Sequence, residues 1–145
     1  MINSIFSKGN IPLLEKAISF SYQRHNVIAN NIANATTPGF KALDLPEKEF
    51  MEYLEKALQE SSKRDVGYLE FESASGGGFT SNSGEFKVDP VLSPEPGVMS
   101  HNGNNVDVDR ENAKLAKNAL YYSVLVQLLR NNFDSLKSAI AEKAT

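Results

Sequence analysis

Cysteine and tryptophan are both absent from this chain of 145 residues. Without thiols there is no disulfide framework, no thiolate nucleophile and no Cys-ligated zinc. Two histidines, His25 and His101, leave little material for any other metal site. Positive charge is also scarce: 15 Lys+Arg stand against 18 Asp+Glu, a formal net charge of −3. That balance argues against nucleic acid as a partner, which needs a basic stripe, and against a polybasic lipid anchor. No run of about 18 uncharged apolar residues occurs, so no transmembrane helix is expected. Met1 to Gly9 show no basic stretch leading into an apolar core and a small-residue cleavage site, so no cleaved secretory leader is expected.

Glycine and proline are scarce at both ends and concentrated between them. Seven of nine Gly and three of six Pro lie from Gly67 to Gly103, which marks the middle as the turn-rich part. Three regions follow: 1–42, 43–106 and 107–145. In the first, Pro12 suits the opening turn of a helix, with Asn10 as its cap. Leu14, Ile18, Ser21, His25, Ile28 and Ile32 recur at steps of four and three, with Leu13, Ala17, Phe20 and Val27 as a second line beside them. The helix is expected to run to about Ala33.

In the last region Asp107 or Asp109 can cap a helix whose positive end suits Glu111. Leu115, Ala119, Tyr122, Val126, Leu129, Phe133, Leu136 and Ile140 then alternate steps of four and three, the period of a left-handed coiled coil. From Ala119 to Leu129 nine of eleven residues are apolar, including Leu120, Tyr121, Val124, Leu125 and Leu128 off that seam. A helix apolar nearly all round is normally covered on every side. One partner helix covers one stripe, so other copies or other proteins are expected to cover the rest. The residues expected to carry the assembly are Leu14, Ile18, Ile28 and Ile32 on the first helix and Leu115, Tyr122, Leu125, Val126, Leu129, Phe133, Leu136 and Ile140 on the last.

The middle holds one more helical pattern, Leu45 to Glu60, with Phe50, Met51, Leu54, Ala57 and Leu58 on one face. From Ser61 to Asn105 no period is sustained, and Phe79, Phe86 and Val88 suggest one short strand. The expected class is mainly α: long terminal helices forming an antiparallel coiled-coil-like pair, and an irregular Gly/Pro-rich middle with a short helix and a little β.

Ala29-Asn30-Asn31-Ile32-Ala33-Asn34-Ala35-Thr36-Thr37-Pro38-Gly39-Phe40-Lys41-Ala42 is a helix end followed by a sharp stop. Thr37-Pro38-Gly39-Phe40 suits a type II turn, with Pro fixing φ and Gly supplying a positive φ. Thr37, before Pro, is pushed out of the α region, so the helix has ended by then. The three Asn amides can bond freed carbonyls or a neighbouring backbone.

That string resembles the N-terminal signature of bacterial flagellar rod and hook proteins. The stretch Asn102-Gly103-Asn104-Asn105-Val106-Asp107-Val108-Asp109-Arg110-Glu111 resembles the corresponding C-terminal signature of the proximal-rod branch, with Asn102 where Asp is expected. The resemblance covers about residues 10–45 and 100–142. It implies a structural subunit of the flagellar basal body, exported unfolded by the flagellar type III apparatus and placed in the periplasm. Implied partners are other copies, other rod proteins, and the membrane-ring and export-gate components at the rod base. No small-molecule substrate and no cofactor are implied.

An enzyme is the first rival. Gly76-Gly77-Gly78 lacks the phosphate-loop Lys and dinucleotide spacing. His25 falls on a seam and His101 stands alone in a loop. Asp107 and Asp109 read as capping residues rather than calcium ligands, and Glu47 and Glu49 as solvated charges. No nucleophile–base–orienter set is present. The second rival is a coiled-coil adaptor that binds one partner and does not polymerise, which periodicity alone fits equally well.

Overall fold

A computed structural model describes residues 11–63, 79–82, 85–94 and 97–142. Helix α1 spans Ile11–Ala33 and α2 Glu47–Lys63, and the last helix, α3, runs 35 residues over Val108–Glu142. At 1.5 Å per residue α3 is a rod of roughly 50 Å. Asn10, the expected cap of α1, lies outside the described residues.

Two lines of buried side chains run along α1. Leu14, Ser21 and Ile28, seven residues apart, are buried along the face towards α3. The Ser21 hydroxyl meets Asn118 and the Asn31 amide meets Glu111. Moving back ten residues on α1 thus moves forward seven on α3, which makes the pair antiparallel as expected. Leu13 and Phe20 form the second line, joined by the half-buried Val27.

That second line packs on the middle of the chain. Leu45, Phe50, Leu54 and Ala57, with Phe86 and Val88, close a core over Leu13 and Phe20. Phe20 and Phe50 stack face to face at 3.9 Å between centroids, and Phe50 tilts against Phe86 at 5.8 Å. Each such side chain contributes roughly 1.5–3 kcal/mol by leaving water. The 3–4 spacing of Phe50, Leu54 and Ala57 is therefore a core stripe, whereas Met51 is exposed.

Four short strands complete the described part. β1 (Leu43–Asp44) pairs antiparallel with β4 (Val91–Leu92), Leu43 opposite Leu92. β2 (Phe79–Asn82) and β3 (Glu85–Val88) form an antiparallel hairpin with Phe79 opposite Val88 and Asn82 opposite Glu85. The expectation of a single strand through Phe79, Phe86 and Val88 is corrected to this pair. Residues 64–78 of the Gly-rich stretch lie outside the described residues.

The coiled-coil seam also needs correction. In α3 the buried line is Glu111, Asn118 and Leu125, one position away from the apolar repeat Ala119, Val126 and Phe133. An apolar count misses it because two of its members are polar and are satisfied by partners on α1. His25, expected on the α1 seam, is exposed, since the packed line passes through Ser21 and Ile28 instead.

Candidate functional site

The two signatures, some sixty residues apart in sequence, form one clasp at the end of the helix pair. α1 ends where Asn34 Nδ2 donates back to the Asn30 carbonyl at 2.8 Å and the Thr37 hydroxyl donates to Asn34 Oδ1 at 3.2 Å. The Phe40 N–H reaches the Thr37 carbonyl at 3.3 Å, and Gly39 has φ of 73°. That is the turn expected from Pro38-Gly39, with the positive φ where glycine stands.

The loop before α3 docks on this turn through amides rather than apolar contacts. Buried Asn104 donates to the carbonyls of Asn34 and Thr37 at 2.9 and 2.8 Å, adding a second bond to each acceptor of the turn. Its own Oδ1 accepts from the Val106 N–H at 2.7 Å. Gly39 N–H donates to the Asn102 carbonyl at 2.9 Å, and Lys41 Nζ to the Gly103 carbonyl at 2.6 Å. The Ala42 N–H is taken by Asn105 Oδ1 at 2.7 Å. Asn31, fully buried, bridges three elements: its amide donates to the Leu43 carbonyl and Glu111, and its oxygen accepts the Leu43 N–H. Asp107 caps α3, its Oδ1 accepting from the Asp109 and Arg110 N–H groups, which settles the choice between the two aspartates.

Beside the clasp lies an ionic cluster that sequence reasoning missed. Arg24 forks onto both oxygens of Asp44 at 2.9 and 3.1 Å and also meets Glu47. Lys114 approaches Asp44 at 3.6 Å and Glu111 at 2.8 Å. Asp44 and Glu111 are almost wholly buried, so the cations supply what water cannot. Burial alone would lower the Arg24 pKa, but the hydrogen bond and charge of Asp44, with Glu47 behind, raise it above its usual value. Glu47 is thus an ion-pair member and not the free solvated charge expected. Acid residues and lysines recur throughout the sequence, and nothing local separates these from surface charges. Ser21 and Asn118, which donate to each other's oxygens across the helix pair, were equally hidden.

The expected assembly residues divide into three sets. Leu14, Ile28 and Leu125 are buried within the chain's own helix pair. Ile18, Ile32, Leu115, Val126 and Leu129 are half-buried. Tyr122, Phe133, Leu136 and Ile140 are exposed, as are Leu120, Tyr121 and Val124, so α3 carries uncovered apolar residues on two sides: Leu120 and Val124 on one, Tyr122, Phe133, Leu136 and Ile140 on nearly the opposite one. In the N-terminal signature Asn30, Ala33, Pro38 and Lys41 face solvent while Asn31 and Ala42 are buried; in the C-terminal one Asp109 and Arg110 are exposed and Val106 is half-buried. Among the described residues no three acidic or histidine side chains are grouped to hold a metal, and no helix is long and apolar enough to cross a membrane.

A helix pair locked at one end by a polar clasp, with apolar residues left uncovered on two sides of its longest helix, defines a structural protein built to pack against others. Comparison with known proteins agrees. A model of the flagella basal body rod protein family matches residues 20–41, the part of α1 that runs into the clasp turn. The flagellar basal body rod protein FlgB of Bacillus subtilis is 34% identical over 137 residues, spanning 94% of this chain and 96% of that protein. FlgB of Borreliella burgdorferi is 31% identical over 130 residues, spanning 84% and 93%. That of Salmonella typhimurium is 27% identical over 126 residues, spanning 87% and 88%. The chain belongs to the flagellar basal body rod protein family, whose members are structural proteins and not enzymes. Membership makes it a basal-body component that assembles with other rod components.

Proposed function

We propose that this chain is a subunit of the proximal rod, at the base of the flagellar drive shaft, and that it assembles through its two long helices. The observation that supports the proposal is the apolar surface α3 leaves uncovered on two sides: Leu120, Tyr121, Val124, Phe133, Leu136 and Ile140 are about half exposed or more in the single chain. Large apolar side chains left uncovered on two sides of one helix favour contacts with more than one neighbour. Its neighbours are other copies of the chain and other rod proteins, with membrane-ring and export-gate components below. The contact is heterologous, joining different faces of successive subunits, which builds a helical shaft rather than a closed dimer. Each Leu or Val so covered adds roughly 1.5–3 kcal/mol. The chain reaches the periplasm through the flagellar type III apparatus. The clasp then fixes the angle at which the helix pair leaves the middle of the chain.

The test is a deletion strain complemented with tagged chain, with basal bodies purified and imaged. The tag is expected at the rod base, and cells without the chain should lack rods and fail to swim. Complete rods in the deletion strain would overturn the proposal. Swimming restored by a chain confined to the cytoplasm would overturn the export route alone.

A further inference from the structure

Asn102-Gly103 combines the two residue types between which side-chain cyclisation is easiest, because glycine puts no side chain in the way of the attacking amide. The pair sits in an exposed loop of the clasp, and the chemistry it invites requires one particular movement. The Gly103 nitrogen must turn towards Asn102 Cγ, which means rotating the peptide plane between the two residues. Three hydrogen bonds hold the atoms concerned. The Asn102 carbonyl accepts the Gly39 N–H at 2.9 Å, and the Gly103 N–H donates to the Ser100 carbonyl at 2.9 Å, so the plane is tethered at both of its polar atoms. The side chain is held as well, Asn102 Oδ1 accepting the Asn104 N–H at 3.1 Å. Asn104 is itself buried and bonded across to Asn34 and Thr37.

We propose that Asn102 is a site of spontaneous deamidation gated by the clasp: closed in the folded chain and open whenever the clasp is undone. The Gly103 nitrogen bonds to Asn102 Cγ, the Cγ–Nδ2 bond breaks, and the former side-chain nitrogen leaves as ammonia with the proton given up by Gly103. Water then opens the cyclic imide at either carbonyl, giving an ordinary α-linked aspartate or a β-linked isoaspartate in place of Asn102. The two products differ in consequence. The α-linked aspartate keeps an oxygen for the Asn104 N–H and leaves the main chain unchanged. The β-linked form routes the main chain through Asn102 Cβ and Cγ, adding one methylene before the Gly103 nitrogen, and turns the former carbonyl that accepts the Gly39 N–H into a carboxylate on a branch, so the Gly39 and Ser100 bonds no longer share one peptide plane. A chain held unfolded thus loses its capacity to close the clasp with time, whereas a folded one keeps it. This inference does not depend on rod membership.

The experiment incubates the full chain in mildly alkaline buffer, native and in urea, and follows the peptide containing residue 102 by mass and by isoaspartate methyltransferase labelling. Because the reaction tracks the open population, conversion in urea should be at least about tenfold faster than in the native chain. Gly103→Ala should slow the urea reaction, and Asn104→Ala in native buffer should bring the rate towards the urea value. Equal rates for wild type in native buffer and urea would overturn the gating, and this comparison stands even if Asn104→Ala fails to fold. Chains carrying β-linked residue 102 should refold to a lower urea midpoint than Asn102→Asp. Identical midpoints would overturn the assigned effect on the clasp.

Discussion

At Gly39 the backbone, not the surroundings, decides which residue fits. A Cβ built there meets nothing within 4 Å, yet φ is +73°, a region that β-branched residues resist. Gly39→Val should therefore cost about 1–2 kcal/mol, seen as a lower urea midpoint, and should impair rod assembly at matched protein levels. Lys41→Ala removes one exposed hydrogen bond to the Gly103 carbonyl and should cost under about 1 kcal/mol. Equal midpoints for the two variants would remove Gly39 from the turn. A second residue gives a pH signature. Burial pushes the Tyr53 hydroxyl up to about 12, so its neutral form is favoured in the folded chain. The stability this reflects is complete below the unfolded value near 10 and is lost as pH rises towards 12. Tyr53→Phe should flatten the fall in stability across that alkaline window, and denaturation curves at stepped pH would show it. The turn was legible in the sequence because Pro-Gly chemistry is local. The partners of Asn104 were not, since Asn34 and Thr37 are joined to it only by the fold.

Between elements, polar side chains decide the register that apolar counting misplaces. The repeat of Leu115, Val126 and Phe133 announced a long helix correctly, yet the line turned towards α1 contains Glu111 and Asn118. A buried amide or carboxylate is costly until paired, and pairing partners come from distant elements that no local period reveals. The same holds for β2 and β3: Asn82 pairs with Glu85, but each strand is only 4 residues long, too short for an alternation to stand out among the surrounding glycines. Arg24 tests how much the hidden polar layer matters, since it joins α1 to β1 and to the start of α2. Among the described residues, Arg24→Met leaves Asp44 with Lys114 at 3.6 Å as its one cation. The loss should be about 3 kcal/mol in a denaturant titration. The double variant Arg24→Met with Asp44→Leu should recover part of it, because the uncompensated buried charge is then gone. A single variant with wild-type stability would show that the cluster contributes nothing net.

For the whole molecule, adjacent positions on α3 separate holding one chain together from the proposed joining of chains. Leu125 is buried in the helix pair, 9% exposed, whereas Val124 beside it is 56% exposed. Leu125→Asp places a carboxylate in the seam with α1 and should destabilise the isolated chain by on the order of 4 kcal/mol. Val124→Asp meets water in the isolated chain and should change its stability by no more than about 0.5 kcal/mol. On the proposed assembly the second substitution meets a neighbouring subunit instead, where a desolvated, unpaired carboxylate opposes every successive addition. Val124→Asp should thus yield a chain that folds and is exported as wild type but builds no rods. The folded state is measured by thermal and urea denaturation, export by the amount of chain outside the cytoplasm, and assembly by imaging basal bodies. Cells carrying Val124→Asp that swim normally would leave that side of α3 without a subunit contact. Unchanged stability in Leu125→Asp would contradict the packing of the helix pair itself.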